Sequence, residues 1–402
     1  HIDHSGNLPT LVRCGFEGRI YATPPTVDLC EIMLSDSAYL QEQDVKYVNK
    51  KRVRQGKVPF EPLYTKEDVP PVLRAFEPYP YNRPVEIAEG VELTFLDAGH
   101  ILGSAFVQLD ITENGSTRRL LFSGDIGREE QPILKDPEVA EDVDILITES
   151  TYGNRLHPDE ENVKAKLAAL CERTCQNKSR LVIPAFSVGR TQQVVYYLNE
   201  LHNEGRIEDL PVFVDSPLSR KATEVHQKHP EAYDAETIRL LQEGNNPFWF
   251  PGMRFVQDVE ESKELNQRGG PVVIISASSM CEGGRILHHL KRTVEDEQST
   301  ILIVGYQAQH TLGRRIVEEV SPVKIFGDEY ELRAEVHSIN ALSAHADRDE
   351  MLDYFDRMGP ENVEHTFVVH GDPEAAEAFA GALKQQGMGN VVRPELAAEY
   401  EV

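Results

Sequence analysis

Short apolar runs alternate with amphipathic stretches along the chain. The runs Leu181–Pro184, Val272–Ile275 and Ile301–Val304 are continuously apolar, which is typical of parallel strands that are covered on both faces. Val91–Leu96 instead alternates polar and apolar residues, as a strand with one exposed face does. The pattern therefore predicts a parallel α/β sheet in the middle of the chain and a half-exposed sheet before it.

Longer stretches have the spacing of helices. Apolar side chains recur every three or four residues from Thr26 to about Gln55, directly after the pair Pro24–Pro25, which suits a helix start. Shorter helices are predicted over residues 161–175, 191–201, 349–358 and 373–386. Further strands are predicted over residues 119–123, 143–148, 212–214 and 366–369, with a strand pair between 323 and 336.

Composition narrows the class of protein. The chain has 402 residues, is 40% hydrophobic and carries a net charge of −26, which indicates an ordinary globular protein with more than one domain. No run of about 18 apolar residues occurs, so no membrane-spanning helix is predicted. The negative net charge argues against a basic protein that coats nucleic acid nonspecifically. It does not exclude a local basic groove. Five scattered cysteines favour reduced thiols and a cytoplasmic location.

Metal-binding residue types recur at the start of the chain and directly after predicted strands: His1, Asp3, His4, His100, Asp125 and His370. Loops beyond strand ends are where α/β proteins place their chemistry. Imidazoles together with carboxylates suit zinc, manganese or iron. Each group alone is more typical of a solvated terminus or a turn than of a metal ligand, so only their joint order argues for a metal site.

That order resembles the metallo-β-lactamase superfamily and, within it, the β-CASP nucleases. Those enzymes carry H-x-H-x-D-H, then a lone His, an Asp and a C-terminal His. Glu149–Gly153 is similar to their acidic motif A, Ser343–Asp347 to motif B, and His370 to motif C. The likeness is greatest to the bacterial and archaeal relatives of the eukaryotic endonuclease that processes mRNA 3′ ends.

The resemblance implies a fold and its domains. An αββα sandwich of the metallo-β-lactamase type is expected from residues 1–154 and 344–402, with a parallel α/β β-CASP domain, residues 155–343, inserted between them. It also implies that the chain begins inside the first motif, with the first His two residues upstream of His1. The inserted segment carries 22 Lys and Arg against 28 Asp and Glu, a net charge of −6.

The resemblance further implies two zinc ions. His1, His100 and the upstream His would hold one ion, Asp3, His4 and His370 the other, and Asp125 would bridge them. A hydroxide activated by both metals would then hydrolyse an RNA phosphodiester bond. His345 would protonate the leaving oxygen, and Glu149 would orient His345. Asp3 is also predicted to be a catalytic residue. The other histidines, including His157, are interpreted as surface or structural residues.

The expected substrate is single-stranded RNA, because RNA-acting members of this branch have a His where His370 stands, and DNA-repair members have an apolar residue. Candidate substrate-binding residues are Ser187, Arg190, Ser278, Arg285 and Arg314. A membrane partner is not expected, a homodimer is left open, and so is the choice between endonuclease and exonuclease. The alternatives are a non-catalytic RNA-binding scaffold, a small-molecule hydrolase of the same superfamily, and a DNA nuclease.

Overall fold

The computed structural model describes residues 1–157 and 162–402. Glu161, the predicted start of a helix, lies outside the described residues, and that helix begins at Val163 with Asn162 as its cap. The strands are β1 (Ile20–Ala22), β2 (Phe76–Pro78), β3 (Val85–Ala88), β4 (Val91–Asp97), β5 (Ala105–Glu113), β6 (Ser116–Phe122), β7 (Ile145–Thr148), β8 (Arg180–Pro184), β9 (Val212–Val214), β10 (Met253–Phe255), β11 (Val272–Ser276), β12 (Thr300–Ile303), β13 (Val323–Ile325), β14 (Asp328–Tyr330), β15 (Glu335–Ser338), β16 (His365–Val368) and β17 (Val391–Val392).

The α-helices are α1 (Ile2–Ser5), α2 (Leu8–Arg13), α3 (Pro24–Arg54), α4 (Val69–Ala75), α5 (Val163–Asn177), α6 (Arg190–Asn203), α7 (Pro217–Lys228), α8 (Ala235–Gln242), α9 (Val259–Gln267), α10 (Ile286–Thr293), α11 (Leu312–Val317), α12 (Arg348–Met358) and α13 (Pro373–Gln385). None of the helices in the described ranges is both long enough and apolar enough to cross a lipid bilayer.

Two large sheets organise these elements. One has seven strands in the order β17-β16-β7-β6-β5-β4-β3, and the other has six parallel strands in the order β10-β9-β11-β8-β12-β15. The six-stranded sheet lies, in sequence, between β7 and β16 of the seven-stranded sheet. The prediction of an α/β fold with a parallel α/β unit inserted in it is confirmed. The boundaries at residues 154 and 343 stay a prediction.

The continuous apolar runs are explained by helices on both faces of the six-stranded sheet. Leu181, Ile183 and Leu302 point into one buried cluster, which also contains residues of α5 and α6. Their neighbours Val182 and Ile301 point into a second cluster, with residues of α10 and α11. Because successive strand residues face opposite sides, both sides of β8 and β12 need apolar residues.

Helix α3 begins two residues earlier than predicted, at Pro24, and is capped by Thr23, whose Oγ1 accepts from the Thr26 amide at 3.4 Å. The hydroxyls of both threonines also donate to the carbonyl of Gly103, at 2.8 and 2.7 Å. These bonds attach the start of α3 to the loop that follows His100.

The strand pair predicted between residues 323 and 336 is only partly correct. Strands β13 and β14 form an antiparallel pair that ends at Tyr330. Strand β15 then pairs in parallel with β12 at the edge of the six-stranded sheet. One continuous β-rich segment thus contributes to two sheets, and alternation of residue types alone does not indicate where the partner changes.

Candidate metal centre and active site

The carboxylate of Asp125 is the centre of a histidine cluster. Its side chain is 4% exposed, and its Oδ2 lies 2.7 Å from His1 Nε2 and 3.7 Å from His100 Nε2. Its Oδ1 lies 3.6 Å from both His4 Nε2 and His370 Nδ1. One carboxylate therefore joins two three-residue groups, each with two imidazoles.

The sheet explains why residues distant in sequence meet here. Strands β4, β6, β7 and β16 run in the same direction, since β5 is antiparallel to both β4 and β6, and β7 and β16 continue in parallel. Their carboxyl ends share one edge, and they are followed by His100, Asp125, Glu149 and His370 respectively. At Gly127 a Cβ would lie 2.1 Å from a backbone atom of Gly99, so this close approach of two loops requires glycine.

The donor set fits a bound metal. Asp125 Oδ1 is buried and has no hydrogen-bond partner among the described residues. Two ligand atoms about 2.0–2.2 Å from one zinc ion lie roughly 3.3–3.6 Å apart at the tetrahedral angle, which matches the separation of Asp125 from His4 and His370. Asp125, His4 and His370 therefore have the spacing that one metal ion between them would require, whereas Asp125 and His1 are hydrogen-bonded directly at 2.7 Å.

The electrostatics favour the forms that bind metals. Burial lowers the pKa of His4 and lowers that of His100 well below the usual value, so these imidazoles are neutral. Burial alone would raise the pKa of Asp125, but the hydrogen bond from His1 and the nearby imidazoles outweigh it and hold that pKa below its ordinary value. Neutral imidazole and ionised carboxylate are the states that coordinate a cation.

Asp3 lies at the margin of this cluster. Its carboxylate is 3.7 Å from His1 Nδ1, its side chain is 79% exposed, and it belongs to none of the three groups that share Asp125. The structure thus places Asp3 beside the cluster with its carboxylate towards His1. Its roles as ligand and catalytic residue stay predictions.

Glu149 and His345 form a buried pair beside the cluster. His345 Nδ1 lies 3.2 Å from both carboxylate oxygens of Glu149, which is 1% exposed. Glu149 also accepts from the amides of Ile126, at 2.6 Å, and Thr151, at 3.3 Å, so its position is fixed. Burial would lower the pKa of His345, but Glu149 reverses that and raises it. The ring of His345 lies 4.4 Å from that of His100, next to the candidate metal site.

His157, which the sequence indicates only as a surface or structural residue, contacts the loop that carries His345. Its ring is nearly buried, its Nε2 donates to the main-chain carbonyl of His345 at 3.0 Å, and its amide donates to Asp347 Oδ2 at 2.7 Å. Its ring centroid also lies 5.1 Å from that of Tyr152. These contacts hold the loop that carries His345. A single His eight residues after Glu149 gives no periodic signal, so only the fold identifies it.

Replacing His157 with alanine is expected to lower kcat about tenfold while KM and metal content stay constant, because His345 loses a support but no ligand is removed. Steady-state kinetics and metal analysis of the purified variant measure both. His202→Ala is the matched control, since His202 packs on Phe250 in the inserted unit and its loss is expected to affect stability alone. An unchanged kcat in His157→Ala would remove this role.

The predicted phosphate-binding turn lies beside the metal loop. Ser187 precedes α6, and its hydroxyl is 3.1 Å from that of Ser216, the cap of α7. A Cβ at Gly189 would be 3.4 Å from the side chain of Ile101, so this turn contacts the loop after His100. The start of α6 therefore borders the candidate active site.

Arg190 is buried without a carboxylate partner among the described residues. Its Nη1 donates to Gln193 Oε1 at 2.9 Å, and its Nε has no partner. Burial lowers the pKa of Arg190 to about 10, and a buried cation without an anion is costly. The site therefore provides a positive charge that a bound anion would neutralise.

The three remaining substrate-binding candidates have other contacts. Arg285 is 2.6 Å from the buried carboxylate of Asp215, which His289 and Ser262 also contact. Arg314 is paired with Glu318 at the surface. Ser278 Oγ accepts from the Glu282 amide within its own loop. Their roles in substrate binding stay predictions.

Comparison with known proteins supports the same assignment. The Beta-Casp domain model matches residues 191–316, and a model described as a Zn-dependent metallo-hydrolase RNA specificity domain matches residues 329–394. The chain is 35% identical over 389 residues to Ribonuclease TTHA0252 of Thermus thermophilus. The match covers 96% of this chain and 83% of that protein. The chain belongs to the β-CASP family of the metallo-β-lactamase superfamily. The predictions of this family and of a hydrolytic nuclease are confirmed.

Two archaeal proteins are also similar to this chain. The transcription termination factor FttA of Methanosarcina mazei is 33% identical over 393 residues, and that of Methanocaldococcus jannaschii is 32% identical over 395 residues. The matches cover 95% and 96% of this chain and 59% of each archaeal protein. The chain thus spans about three fifths of the length of these relatives.

Proposed function

We propose that this protein is a zinc-dependent ribonuclease that hydrolyses phosphodiester bonds of single-stranded RNA. The observation that carries the proposal is the Asp125 carboxylate, which faces two pairs of imidazoles and lies beside the Glu149–His345 pair. His1 and His100 would hold one zinc ion with Asp125. His4 and His370 would hold a second with the same carboxylate, and Asp3 lies at the margin of the cluster with its carboxylate 3.7 Å from His1 Nδ1.

When bound, the two ions would supply hydroxide at neutral pH, by lowering the pKa of water to about 7, and would neutralise charge on the phosphoryl oxygens. His345 supplies the proton for the leaving ribose oxygen. The Glu149 carboxylate accepts a hydrogen bond from His345 Nδ1. This bond orients the ring and leaves its Nε2 side for the substrate. The raised pKa of His345 keeps this acid protonated above the usual pKa of histidine.

Arg190 binds a phosphate of the substrate in this proposal, because its buried guanidinium has no carboxylate partner within the described ranges. Arg190→Ala is expected to lower kcat/KM about 10- to 100-fold, as the loss of a charge-assisted hydrogen bond to phosphate costs about 1.5–3 kcal/mol. RNA cleavage at subsaturating substrate measures it. Arg239→Ala, which removes an exposed Arg paired with Glu236, is the control, and equal kcat/KM in both variants would refute the role.

RNA is favoured over DNA because His370 takes part in the cluster and because similar proteins include a ribonuclease. The test is cleavage of end-labelled RNA and DNA of one sequence, each single- and double-stranded, by the protein with its metal content measured. Preferred cleavage of single-stranded RNA is expected. Binding of RNA without cleavage would favour a scaffold, and equal cleavage of DNA would overturn the preference. Homodimer formation and a cytoplasmic location stay predictions.

A further inference from the structure

The far half of α3 carries a positive surface in a chain with a net charge of −26. Six lysine and arginine residues, and no aspartate or glutamate, fall within residues 45–60: Lys46, Lys50, Lys51, Arg52, Arg54 and Lys57. The buried residues of α3 end at Ala38. The helix therefore extends about four turns beyond the core that its first half packs against.

The segment after α3 folds back on this extension. The Asn49 side chain donates to the carbonyl of Phe60 and accepts from its amide, both at 2.8 Å. Arg52 Nε donates to the carbonyl of Val58 at 2.8 Å, and its guanidinium lies 3.6 Å from the centroid of the Phe60 ring. Residues 45–60 are called the basic arm. Its shape is held by these contacts.

One stripe of the basic arm combines cations with an aromatic ring. Residues three and four apart share a helix face, which places Lys46, Tyr47, Lys50 and Arg54 side by side. Tyr47 is 78% exposed, and the three cations of the stripe are exposed and form no ion pair with any residue in the ranges 1–157 and 162–402. Cations in the last turn of a helix offset its dipole, which explains why Arg54 is basic. The dipole does not explain the positions of Lys46 and Lys50 or the exposed ring of Tyr47.

This combination matches single-stranded nucleic acid. Lysine and arginine neutralise backbone phosphates, and an exposed aromatic face stacks on bases. The other end of α3 lies at the active site, since Thr26, Leu29 and Met33 line a cavity together with His1 and His100. Tyr47 is about six turns further along, which is about 30 Å. Several nucleotides of a bound RNA strand would therefore separate the basic arm from the metal centre.

We propose that the basic arm is a second RNA-contact surface, which holds the strand at a distance from the bond that is cleaved. The proposal rests on the ribonuclease function above. It predicts that the arm matters for long RNA and not for short RNA, because only a long strand reaches both places.

The test is a triple variant, Lys46→Ala/Lys50→Ala/Arg54→Ala, assayed on RNAs of about 8 and about 30 nucleotides. KM for the long RNA is expected to rise about tenfold, and the slope of log affinity against log salt is expected to fall by about 2. KM and kcat for the short RNA are expected to stay at wild-type values. The control is Arg83→Ala/Arg292→Ala/Lys384→Ala, which removes the same charge from exposed residues without an ion pair in the described ranges.

A second pair of variants tests stacking. Tyr47→Phe keeps an aromatic face and is expected to bind the long RNA as wild type does, whereas Tyr47→Ala is expected to bind it several-fold more weakly. A wild-type KM for the long RNA in the triple variant, an equal rise in KM for the short RNA, or an equal loss in the control triple would overturn the proposal. The proposal would also be overturned if the wild-type protein bound vesicles with about 30 mol% phosphatidylserine through the basic arm while KM for the long RNA did not depend on the arm. If wild type cleaves neither RNA, the proposed function fails first.

Discussion

Replacing His345 with alanine is expected to lower kcat for RNA cleavage about 10²- to 10⁴-fold, the usual contribution of a positioned general acid. His345 lies 3.2 Å from both oxygens of Glu149, with which it forms a third group at Asp125. It belongs to neither of the two groups of imidazoles that would hold the ions. The metal content of the variant is therefore expected to equal that of wild type. Single-turnover cleavage of a labelled RNA, with metal analysis of the same preparation, measures both quantities.

The leaving group provides a sharp control for His345. A ribose oxygen needs a proton as it leaves, whereas p-nitrophenolate leaves without one. Hydrolysis of bis(p-nitrophenyl) phosphate is therefore expected to change little in His345→Ala while RNA cleavage collapses. An equal loss on both substrates would indicate a damaged site, and an unchanged rate on RNA would eliminate His345 as the acid.

Replacing Asp125 with asparagine is expected to remove bound metal and to lower kcat at least about 100-fold. Even residues that only support a ligand cost about 10- to 100-fold when lost, and Asp125 is shared by both groups of imidazoles. An amide cannot supply two negatively charged oxygens to two cations. Metal stoichiometry after dialysis, and kcat for RNA, measure the effect.

Asp144→Asn is the matched control for Asp125. Asp144 Oδ2 accepts from the Arg119 amide at 2.6 Å, at the opposite end of β7 from Glu149. Its loss is expected to reduce stability and to leave metal content unchanged. Wild-type metal content and activity in Asp125→Asn would contradict the central position of this carboxylate.

The fold could be predicted wherever burial is uniform along an element. Both faces of β8 are covered, so Leu181 and Val182 are both apolar and the strand is evident from composition. The change of partner between β14 and β15 could not be predicted, because register and pairing depend on contacts between distant segments. Local patterns indicate elements better than they indicate neighbours.

In the candidate site, too, local patterns indicate single residues better than they indicate contacts between distant segments. His100, Asp125 and His370 could be proposed because each follows a strand, and parallel strands bring their carboxyl ends to one edge. The support that His157 gives to His345 could not, since it is a main-chain contact between residues 188 positions apart. Which arginines lie beside carboxylates is equally a property of the fold. Arg190 has no carboxylate partner in the described ranges, whereas Arg285 contacts Asp215.

In the proposed function, a metal held around Asp125 enables the protein to hydrolyse RNA. The most direct test is cleavage of one end-labelled single-stranded RNA by wild-type protein, by the same protein after chelation, and after zinc is restored. Cleavage is expected to disappear with the metal and to return with zinc, in proportion to the zinc bound. RNA cleavage that persists in metal-free protein, or zinc-loaded protein that leaves RNA intact, would rule out a zinc-dependent ribonuclease.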